Sequence, residues 1–292
     1  MENTTAVSKS ETKTKKHSAS KSRKWSTVLI YIFLGLGAVL MIFPFVWMIL
    51  TSFKTNAEAI AVPPSFFPAQ WNMTAFGQAI EALPFGNLYL NTALMILFRV
   101  ICAVVFCSMA GFAFAKLKFK GKNLLFTLIL VQMMLPSQIF LIPQFQMIAG
   151  MHMTNTIFAL VFPGLVSAFG TFFLRQAYMG IPDETIEAAY LDGCNTWQVF
   201  TKICFPLTKS AIAALSIFTA VFAYTDLMWP LIVNTDANMM TLSSGLSMIN
   251  GQFTANYPVL MAGSLLSMLP MIVLYLIFQK QFIEGIVMTG GK

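Results

Sequence analysis

The sequence predicts an all-α, polytopic membrane protein with six transmembrane helices. Hydrophobic residues make up 57% of the chain and charged residues only 10%, whereas about a quarter of the residues in a soluble domain are charged. The chain also contains six apolar runs of about 20 residues or more, the length needed to cross the hydrocarbon of a bilayer. These runs lie near residues 26–50, 88–115, 124–148, 155–176, 209–233 and 257–282.

A basic tail, residues 1–24, precedes the first apolar run. The tail is rich in Ser, Thr and Lys and has too few apolar residues to form a core, so we expect a disordered cytoplasmic segment. The apolar run at residues 25–53 is too long for the core of a signal peptide, and it has no convincing small-residue cleavage site. We therefore predict an uncleaved first membrane helix and a membrane domain that occupies residues 25–292.

The basic residues between the apolar runs predict the orientation of the chain. If the N-terminus lies inside, Lys54 is the only basic residue in the outer segments, whereas the inner segments contain many basic residues. The positive-inside rule then places both termini, and the segment between the fourth and fifth runs, in the cytoplasm. Membrane orientation thus explains the net charge of +7, and we expect no binding to nucleic acid. The inner basic residues after the tail are Lys116, Lys118, Lys120, Lys122, Arg175, Lys202, Lys209, Lys280 and Lys292.

A polar segment at about residues 177–208 separates the fourth and fifth runs. Pro182 suits the first position of a helix, and the acidic residues after it suit the positive end of the helix dipole. Gly193 can adopt the left-handed conformation that ends a helix, and Asn195 or Thr196 can cap the next one. The residues after this cap, as far as the next proline, have an amphipathic pattern. We therefore predict two short helices joined by a hinge, with the second helix along the membrane surface.

This segment resembles the EAA loop of ABC importer permeases. The pattern of that loop is Glu-Ala-Ala, three residues, Gly, nine residues, Ile, one residue, Leu and Pro. A bare Glu-Ala-Ala occurs by chance in many helices, but an ordinary connecting helix requires neither the glycine nor the proline at these offsets. Phe205 stands where leucine is usual. The predicted coupling residues are those in register together with the aspartate before the glycine: Glu187, Ala188, Ala189, Asp192, Gly193, Ile203 and Pro206.

Other segments resemble the carbohydrate permeases of the same family. Residues 110–122 resemble a turn of those proteins, with Lys120 where proline is usual. The nearest resemblance is to the maltose-type permease subunit that lacks a large extra outer domain. The end of the chain departs from the usual ending, which puts the expected contact of the C-terminus with the ATPase subunits in question. The remaining matching segments are residues 173–176, 229–231, 260–264 and 278–285.

The resemblance implies one subunit of an ATP-driven importer in the bacterial cytoplasmic membrane. The implied partners are a second homologous permease, two ATP-binding cassette subunits, an extracellular solute-binding lipoprotein or periplasmic protein, and membrane lipid. ATP and Mg²⁺ would bind to the ATPase subunits, and this chain would bind no cofactor. Glu187 would pair with a basic group of the ATPase, and Ala188 and Ala189 would permit close approach. Residues 234–257, a polar loop by composition, would be a solvated connector or would contact the solute-binding protein.

The residues themselves offer no catalytic or metal site, so we predict a non-catalytic subunit. The pair Gly121-Lys122 lacks the upstream glycine of a phosphate-binding loop. His17 and His152 have no partners at metal-ligand spacing. The four cysteines form no Cys-x-x-Cys pair, and we expect them to serve as small apolar residues.

Polar residues inside the apolar runs are the candidates for a translocation pathway. Arg99 lies near the middle of the second run, where a charge costs about 2.5–3.5 kcal/mol on insertion scales, and Asp226 is the available counter-charge. The two can line a pathway or form a buried structural ion pair, and the sequence leaves both open. Amides and hydroxyls beside aromatic residues suit a neutral polyhydroxyl solute. These uncharged candidates are Asn91, Gln132, Ser137, Gln138, Gln144, Tyr224 and Thr225.

Two other classes of protein fit the sequence less well. A self-contained secondary transporter is expected to contain an internal repeat with interrupted helices, and we find none in the sequence. A membrane enzyme requires a cluster of His, Asp or Glu at membrane depth, where only Asp226 qualifies. The predicted solute is a sugar or oligosaccharide. A glycerol phosphate is the alternative, although a phosphate would require more basic residues in the membrane than Arg99.

Overall fold

The computed structural model describes the backbone of residues 8–252 and 256–290, and the side chains of residues 27–249 and 256–279. Every regular element in these ranges is helical, as predicted. Three helices are long and apolar enough to cross a membrane by themselves. They are α1 (Ser8–Ser52, with the candidate span Thr27–Ser52), α4 (Phe85–Lys116) and α14 (Tyr257–Gly290, with the candidate span Tyr257–Gln279).

These helices agree with the first, second and sixth predicted runs. The backbone of α1 is helical from Ser8, so the helix extends into the tail where we expected disorder. No proline or glycine interrupts the chain between Ser8 and Gly35, so no residue in that stretch breaks the helix. Residues 1–7 of the tail lie outside the described residues.

None of the third, fourth and fifth predicted runs is one continuous helix. Three pairs of helices bend sharply at a short break. The third run forms the first pair, the fourth run forms the second, and the fifth run (209–233) begins just after the bend of the third pair. α5 (Lys122–Met134) and α6 (Ser137–Gly150) bend by 102°, and α7 (Ile157–Gly164) and α8 (Ala168–Met179) bend by 48°. α10 (Thr196–Leu207) and α11 (Lys209–Thr225) bend by 76°. The described residues therefore contain three candidate spans, or up to six if each bent pair crosses as one unit.

Proline accounts for the position of two breaks. Leu135 is extended, with φ of −87° and ψ of 136°, because the ring of Pro136 disfavours helical geometry in the residue before it. Pro163 lies in the 3-10 turn at the end of α7. At the third break the backbone N–H and the hydroxyl of Thr208 both donate to the carbonyl of Cys204, at 3.1 and 2.9 Å. Interrupted helices, which we expected together with an internal repeat in a secondary transporter, are thus present in this fold.

Two segments between the candidate spans, residues 53–84 and 226–256, contain further helices. The first contains α2 (Asn56–Ala59) and α3 (Thr74–Ala82). The fifth run ends early at Thr225, and a short helix, α12 (Met228–Val233), follows. The segment that we expected to be a polar loop contains α13 (Leu242–Gln252). Leu242 and Ile249 on α13 are buried, so this helix packs into the protein because its apolar residues recur on one face.

Three clusters of buried apolar residues hold the helices together. The first joins the end of α4 to α8, α10, α11 and α9 (Asp183–Leu191). The second joins α3 and the start of α4 to α13 and α14. The third joins the middle of α4 to α6, α7, α11 and α12. Because α4 contributes to all three clusters, it is the central helix of the fold.

Small residues allow α4 and α8 to cross closely. A Cβ atom on Gly111 of α4 would lie 2.9 Å from the backbone nitrogen of Arg175, and a Cβ atom on Gly170 of α8 would lie 2.9 Å from the Sγ atom of Cys107. Side chains larger than hydrogen would therefore push the two helices apart. Close crossings at small residues are a common way to pack helices in membranes, where the lipid provides no hydrophobic drive.

Candidate functional site

The predicted coupling segment folds as α9 followed by α10. Pro182 occupies the position before α9 and not its first helical position. At the other end Gly193 has φ of +83°, which confirms the predicted left-handed residue. The Gly193 N–H donates to the Tyr190 carbonyl at 3.1 Å, and the Cys194 N–H donates to the Ala189 carbonyl at 3.0 Å. These two bonds form a Schellman cap, which ends a helix at a left-handed glycine.

Asn195, one of the two predicted caps, begins α10. Its side chain accepts a hydrogen bond from the Gln198 N–H at 2.9 Å, and the Gln198 side chain accepts one from the Asn195 N–H at 2.9 Å. This reciprocal pair is a capping box. Only Cys194 separates the glycine from this cap, so hydrogen bonds restrain the turn between α9 and α10 on both sides.

The coupling segment exposes one face and buries the other. Ala189 is only 5% exposed, and it packs with Ile186 in the first cluster, against which Ile203 is half-buried. Of the two alanines that we expected to let a partner approach closely, Ala188 is exposed and Ala189 packs into its own chain. Its small side chain lets α9 approach the core of its own chain, because it lies three residues after Ile186 on the inner stripe of the helix. The predicted coupling residues that are exposed are Glu187, Ala188, Asp192, Gly193 and Pro206.

Exposed apolar side chains lie next to this face, and the sequence reasoning missed them. Leu191 is 89% exposed, Trp197 is 59% exposed and Tyr190 is 42% exposed. The sequence could have indicated the exposure of Leu191, because this residue lies outside the helical stripe formed by the two core residues Ile186 and Ala189. Large exposed apolar side chains in such a group are typical of a contact surface.

Lys116, the last residue of α4, attaches α9 to the second candidate span. Its Nζ atom donates to the carboxylate of Asp183 at 2.5 Å and to the carbonyl of Ile181 at 2.6 Å. The Lys116 side chain is 7% exposed, whereas that of Asp183 is 79% exposed. The hydrogen bond from Lys116 lowers the pKa of Asp183 below its usual value, because it stabilises the charged carboxylate. The sequence identified Lys116 only as an orientation signal, so this contact was not predicted.

A polar cavity of about 660 Å³ lies where three interruptions of the helices converge. Its lining includes residues at the α5–α6 break, at the α7–α8 break and between α11 and α12. Irregular backbone at membrane depth is tolerated where it is buried in protein or lines a cavity. Many of the predicted pathway residues line this cavity, namely Arg99, Asp226, Gln132, Ser137, Gln138, Gln144 and Thr225.

Arg99 forms an ion pair and also holds α7 in place. Its Nη1 atom donates to Oδ2 of Asp226 at 2.9 Å. Its Nε and Nη2 atoms donate to the carbonyl of Leu160 at 3.0 and 2.6 Å. Gly164 leaves room for the side chain, because a Cβ atom there would lie 2.6 Å from Cγ of Arg99. The ion pair that the sequence left open is therefore present, and both of its residues line the cavity.

A second hydrogen bond from α12 stabilises the same region of α7. Pro163 has no N–H, so the carbonyl of Ala159, four residues earlier, loses its helical partner. The indole Nε1 of Trp229 donates to this carbonyl at 2.7 Å. Trp229 is 2% exposed, so this bond satisfies a buried acceptor at the break.

Two predicted pathway residues, Asn91 and Tyr224, do not line this cavity. Asn91 is 5% exposed, and its amide donates to the carbonyls of Asn238 and Met240 at 2.8 and 2.9 Å. Asn91 thus holds the turn before α13. The hydroxyl of Tyr224 donates to the carbonyl of Ser267 on α14, beside a separate apolar cavity of about 700 Å³. A polar side chain at membrane depth indicates that it needs a partner, but not which face of its helix it occupies.

The family described as binding-protein-dependent transport system inner membrane component matches residues 103–286 of the chain. The arabinooligosaccharides transport system permease protein AraQ of Halalkalibacterium halodurans is 32% identical over 277 residues, which cover 92% of this chain and 99% of that protein. The sn-glycerol-3-phosphate transport system permease protein UgpE of Escherichia coli O1:K1 is 29% identical over 275 residues, which cover 91% and 98%.

Solved structures share the fold. A bacterial ABC transporter involved in the import of the acidic polysaccharide alginate matches with a TM-score of 0.75 at 21% identity, over 89% of this chain and 97% of that chain. A bacterial alginate ABC transporter in complex with an alginate pentasaccharide-bound periplasmic protein matches with a TM-score of 0.60 at 16% identity, over 89% and 94%. The family match covers more than half of the chain and contains the whole coupling segment. The chain therefore belongs to the inner membrane components of binding-protein-dependent transport systems.

Proposed function

We propose that this chain is a permease subunit of an ATP-driven importer that carries a sugar or oligosaccharide across the bacterial cytoplasmic membrane. The names of the AraQ relatives from two organisms support a sugar. The UgpE relatives support the alternative, a glycerol phosphate. The polar cavity favours the sugar, because its uncharged polar lining consists of amides and hydroxyls, which suit a polyhydroxyl solute.

The observation that carries the proposal is the geometry of the coupling segment. Its outer face presents Glu187, Ala188 and Asp192 next to the large apolar side chain of Leu191. Hydrogen bonds fix the turn behind this face, and Lys116 attaches it to α4. A surface of this kind is suited to receive a push from a partner and to pass it to the membrane helices. In this proposal Glu187 pairs with a basic group of an ATPase subunit.

The proposed topology has six crossings, with each bent pair crossing as one unit and with both termini in the cytoplasm. The positive-inside distribution of basic residues supports it. The coupling segment then faces the cytoplasm, where two ATP-binding cassette subunits bind ATP and Mg²⁺. A second homologous permease and an extracellular solute-binding protein complete the importer, and this chain itself has no catalytic role.

Cross-linking tests the proposed partner. A chain with Cys102→Ala and Cys194→Ala receives Glu187→Cys, and native membranes are treated with a short thiol-to-amine cross-linker. We expect the chain to be joined to a protein that is labelled by a photoreactive ATP analogue. Glu81→Cys, an exposed position on α3, is the matched control on the proposed outer side and should join no such protein. Labelling at the Glu81 position alone would reverse the topology and refute the proposal.

Uptake assays separate the two solute classes. Proteoliposomes that contain the complete importer and its solute-binding protein are supplied with a radiolabelled arabinooligosaccharide or with radiolabelled glycerol 3-phosphate. ATP-dependent uptake of the oligosaccharide alone supports the sugar, and uptake of the phosphate alone supports the alternative.

A further inference from the structure

The charged groups of the polar cavity are unequally exposed. Arg99 and Asp226 are the charged residues among the described residues that line it. The side chain of Arg99 is 8% exposed, whereas that of Asp226 is 23% exposed. A solute in the cavity therefore meets the carboxylate more readily than the guanidinium.

The hydrogen bonds of Arg99 leave it little capacity for a solute. Nη1 is paired with Asp226, and both Nε and Nη2 donate to the carbonyl of Leu160. A guanidinium recognises a carboxylate or phosphate through two parallel N–H donors. Here the backbone carbonyl and the carboxylate already accept from three of the five N–H donors of the guanidinium, which leaves one N–H on each Nη atom.

From this arrangement we infer that Asp226 is a specificity-determining residue, which masks Arg99 and makes the cavity reject anionic solutes in favour of uncharged ones. The inference rests on the proposed function, because it concerns the same cavity as the pathway of a solute. The remaining polar groups, such as Gln138, Gln144 and Thr225, are uncharged and do not offset the exposed carboxylate. The preferred class is thus a neutral polyhydroxyl solute, and uronates or phosphate esters are disfavoured.

The inference can be tested without knowledge of the solute. Gln138 is exposed at the cavity, so Gln138→Cys places a thiol in it. The background chain has Cys102→Ala and Cys194→Ala, and its other two cysteines, Cys107 and Cys204, are 0% exposed. Vesicles with the full chain and its partners are treated with an anionic or a cationic methanethiosulfonate reagent of similar size. The measured quantity is the ratio of the two reaction rates, in which changes in the reactivity of the thiol itself cancel.

We expect the cationic reagent to be favoured in this background, relative to free cysteine. Asp226→Asn keeps an oxygen that can accept from Arg99 but removes one negative charge. The rate ratio should then shift about tenfold towards the anionic reagent, since a unit charge at short range in a partly screened site affects the two reagents in opposite directions. Asp236→Asn, the same change at an exposed residue of the outer turn, is the matched control and should leave the ratio unchanged.

A second variant covers the possibility that Asp226→Asn does not accumulate in the membrane. Arg99→Gln can still donate to the Leu160 carbonyl but removes the positive charge, so the ratio should shift towards the cationic reagent. If both reagents react and neither variant changes the ratio, the charge assignment is overturned and the proposed function is unaffected. If neither reagent reaches the thiol in any vesicle, the cavity is not open to water, and the proposed pathway fails as well.

Discussion

Replacement of Gly193 gives a sharp test of the coupling segment. Its φ of +83° lies in the left-handed region, which costs a residue with a side chain about 1–2 kcal/mol. A Cβ atom on Gly193 would find no atom within 4 Å, so no packing clash adds to this cost. The effect of Gly193→Val is therefore backbone strain alone, directed at the two bonds of the Schellman cap.

The size of the effect follows from this cost. A strain of about 1–2 kcal/mol lowers the population of the capped turn by roughly 5–30-fold. We expect solute-stimulated ATP hydrolysis by the purified complex in lipid nanodiscs to fall most in Gly193→Val, because β-branched residues tolerate the left-handed region least. Gly193→Ala should have an intermediate effect. Gly193→Asn should retain most of the activity, since asparagine adopts this conformation more readily.

Gly121 provides a matched control for the strain. It has φ of +81° and likewise no atom within 4 Å of a Cβ, but it lies in the turn between α4 and α5. Gly121→Val should lower the thermal stability of the purified chain about as much as Gly193→Val, yet leave the coupling of ATP hydrolysis to solute nearly intact. Equal loss of coupling in both variants would show that general strain, and not the geometry of this turn, is responsible. Normal coupling in Gly193→Val would refute the mechanical role of the turn.

Three further predictions concern contacts that hold the helices. The pKa of Asp183 is lowered, so the ionised carboxylate that attaches α9 to Lys116 is present above about pH 4 and is lost as the pH falls through the lowered pKa. This loss should appear as faster hydrogen exchange in α9 at acid pH, and Asp183→Asn should abolish the acid-dependent change. An exchange profile of the parent chain that does not change in acid would contradict the prediction. Gly111→Val should destabilise the chain by about 1–3 kcal/mol through overpacking. Gly77→Ala, where a Cβ meets open space, should be neutral or slightly stabilising in thermal unfolding, and similar losses of stability in both variants would argue against the close crossing of α4 and α8. Trp229→Phe leaves the buried carbonyl of Ala159 without its donor and should cost about 1–3 kcal/mol, and an unchanged unfolding midpoint in detergent would exclude that role.

Local signals in the sequence predicted the coupling segment well. The left-handed Gly193 and the Asn195 cap both depend on neighbours within four residues, so the sequence contains the information that sets them. The all-helical class and the first, second and sixth runs follow from hydropathy alone. The sites of two breaks are also visible in the sequence as Pro136 and Pro163, but the size of each bend is not, because membrane helices often accommodate proline without a large bend.

The direction in which each side chain points from its helix could not be predicted from local signals. Tyr224 and Thr225 are adjacent in sequence, yet one contacts α14 and the other lines the polar cavity. Likewise, Ala189 belongs to the motif but packs inward. Neighbours on a helix differ by about 100° in direction, so their environments depend on which helices pack on each side. That information lies in contacts between residues far apart in the chain.

The same two helices connect the coupling segment to the polar cavity. α4 contains Arg99 and ends at Lys116, which holds α9. α11 begins directly after α10 and ends at the residue before Asp226. At a rise of about 1.5 Å per residue, each connection is about 25 Å long. A push on the coupling segment that displaces α4 relative to α11 therefore changes the separation of Arg99 and Asp226. Two places can absorb such a displacement, namely the π-helical turn in α4 at Ala103–Cys107 and the bend before α11. The ion pair that sets the charge of the cavity thus joins the far ends of the two connections that would transmit movement of the segment on which an ATPase would act.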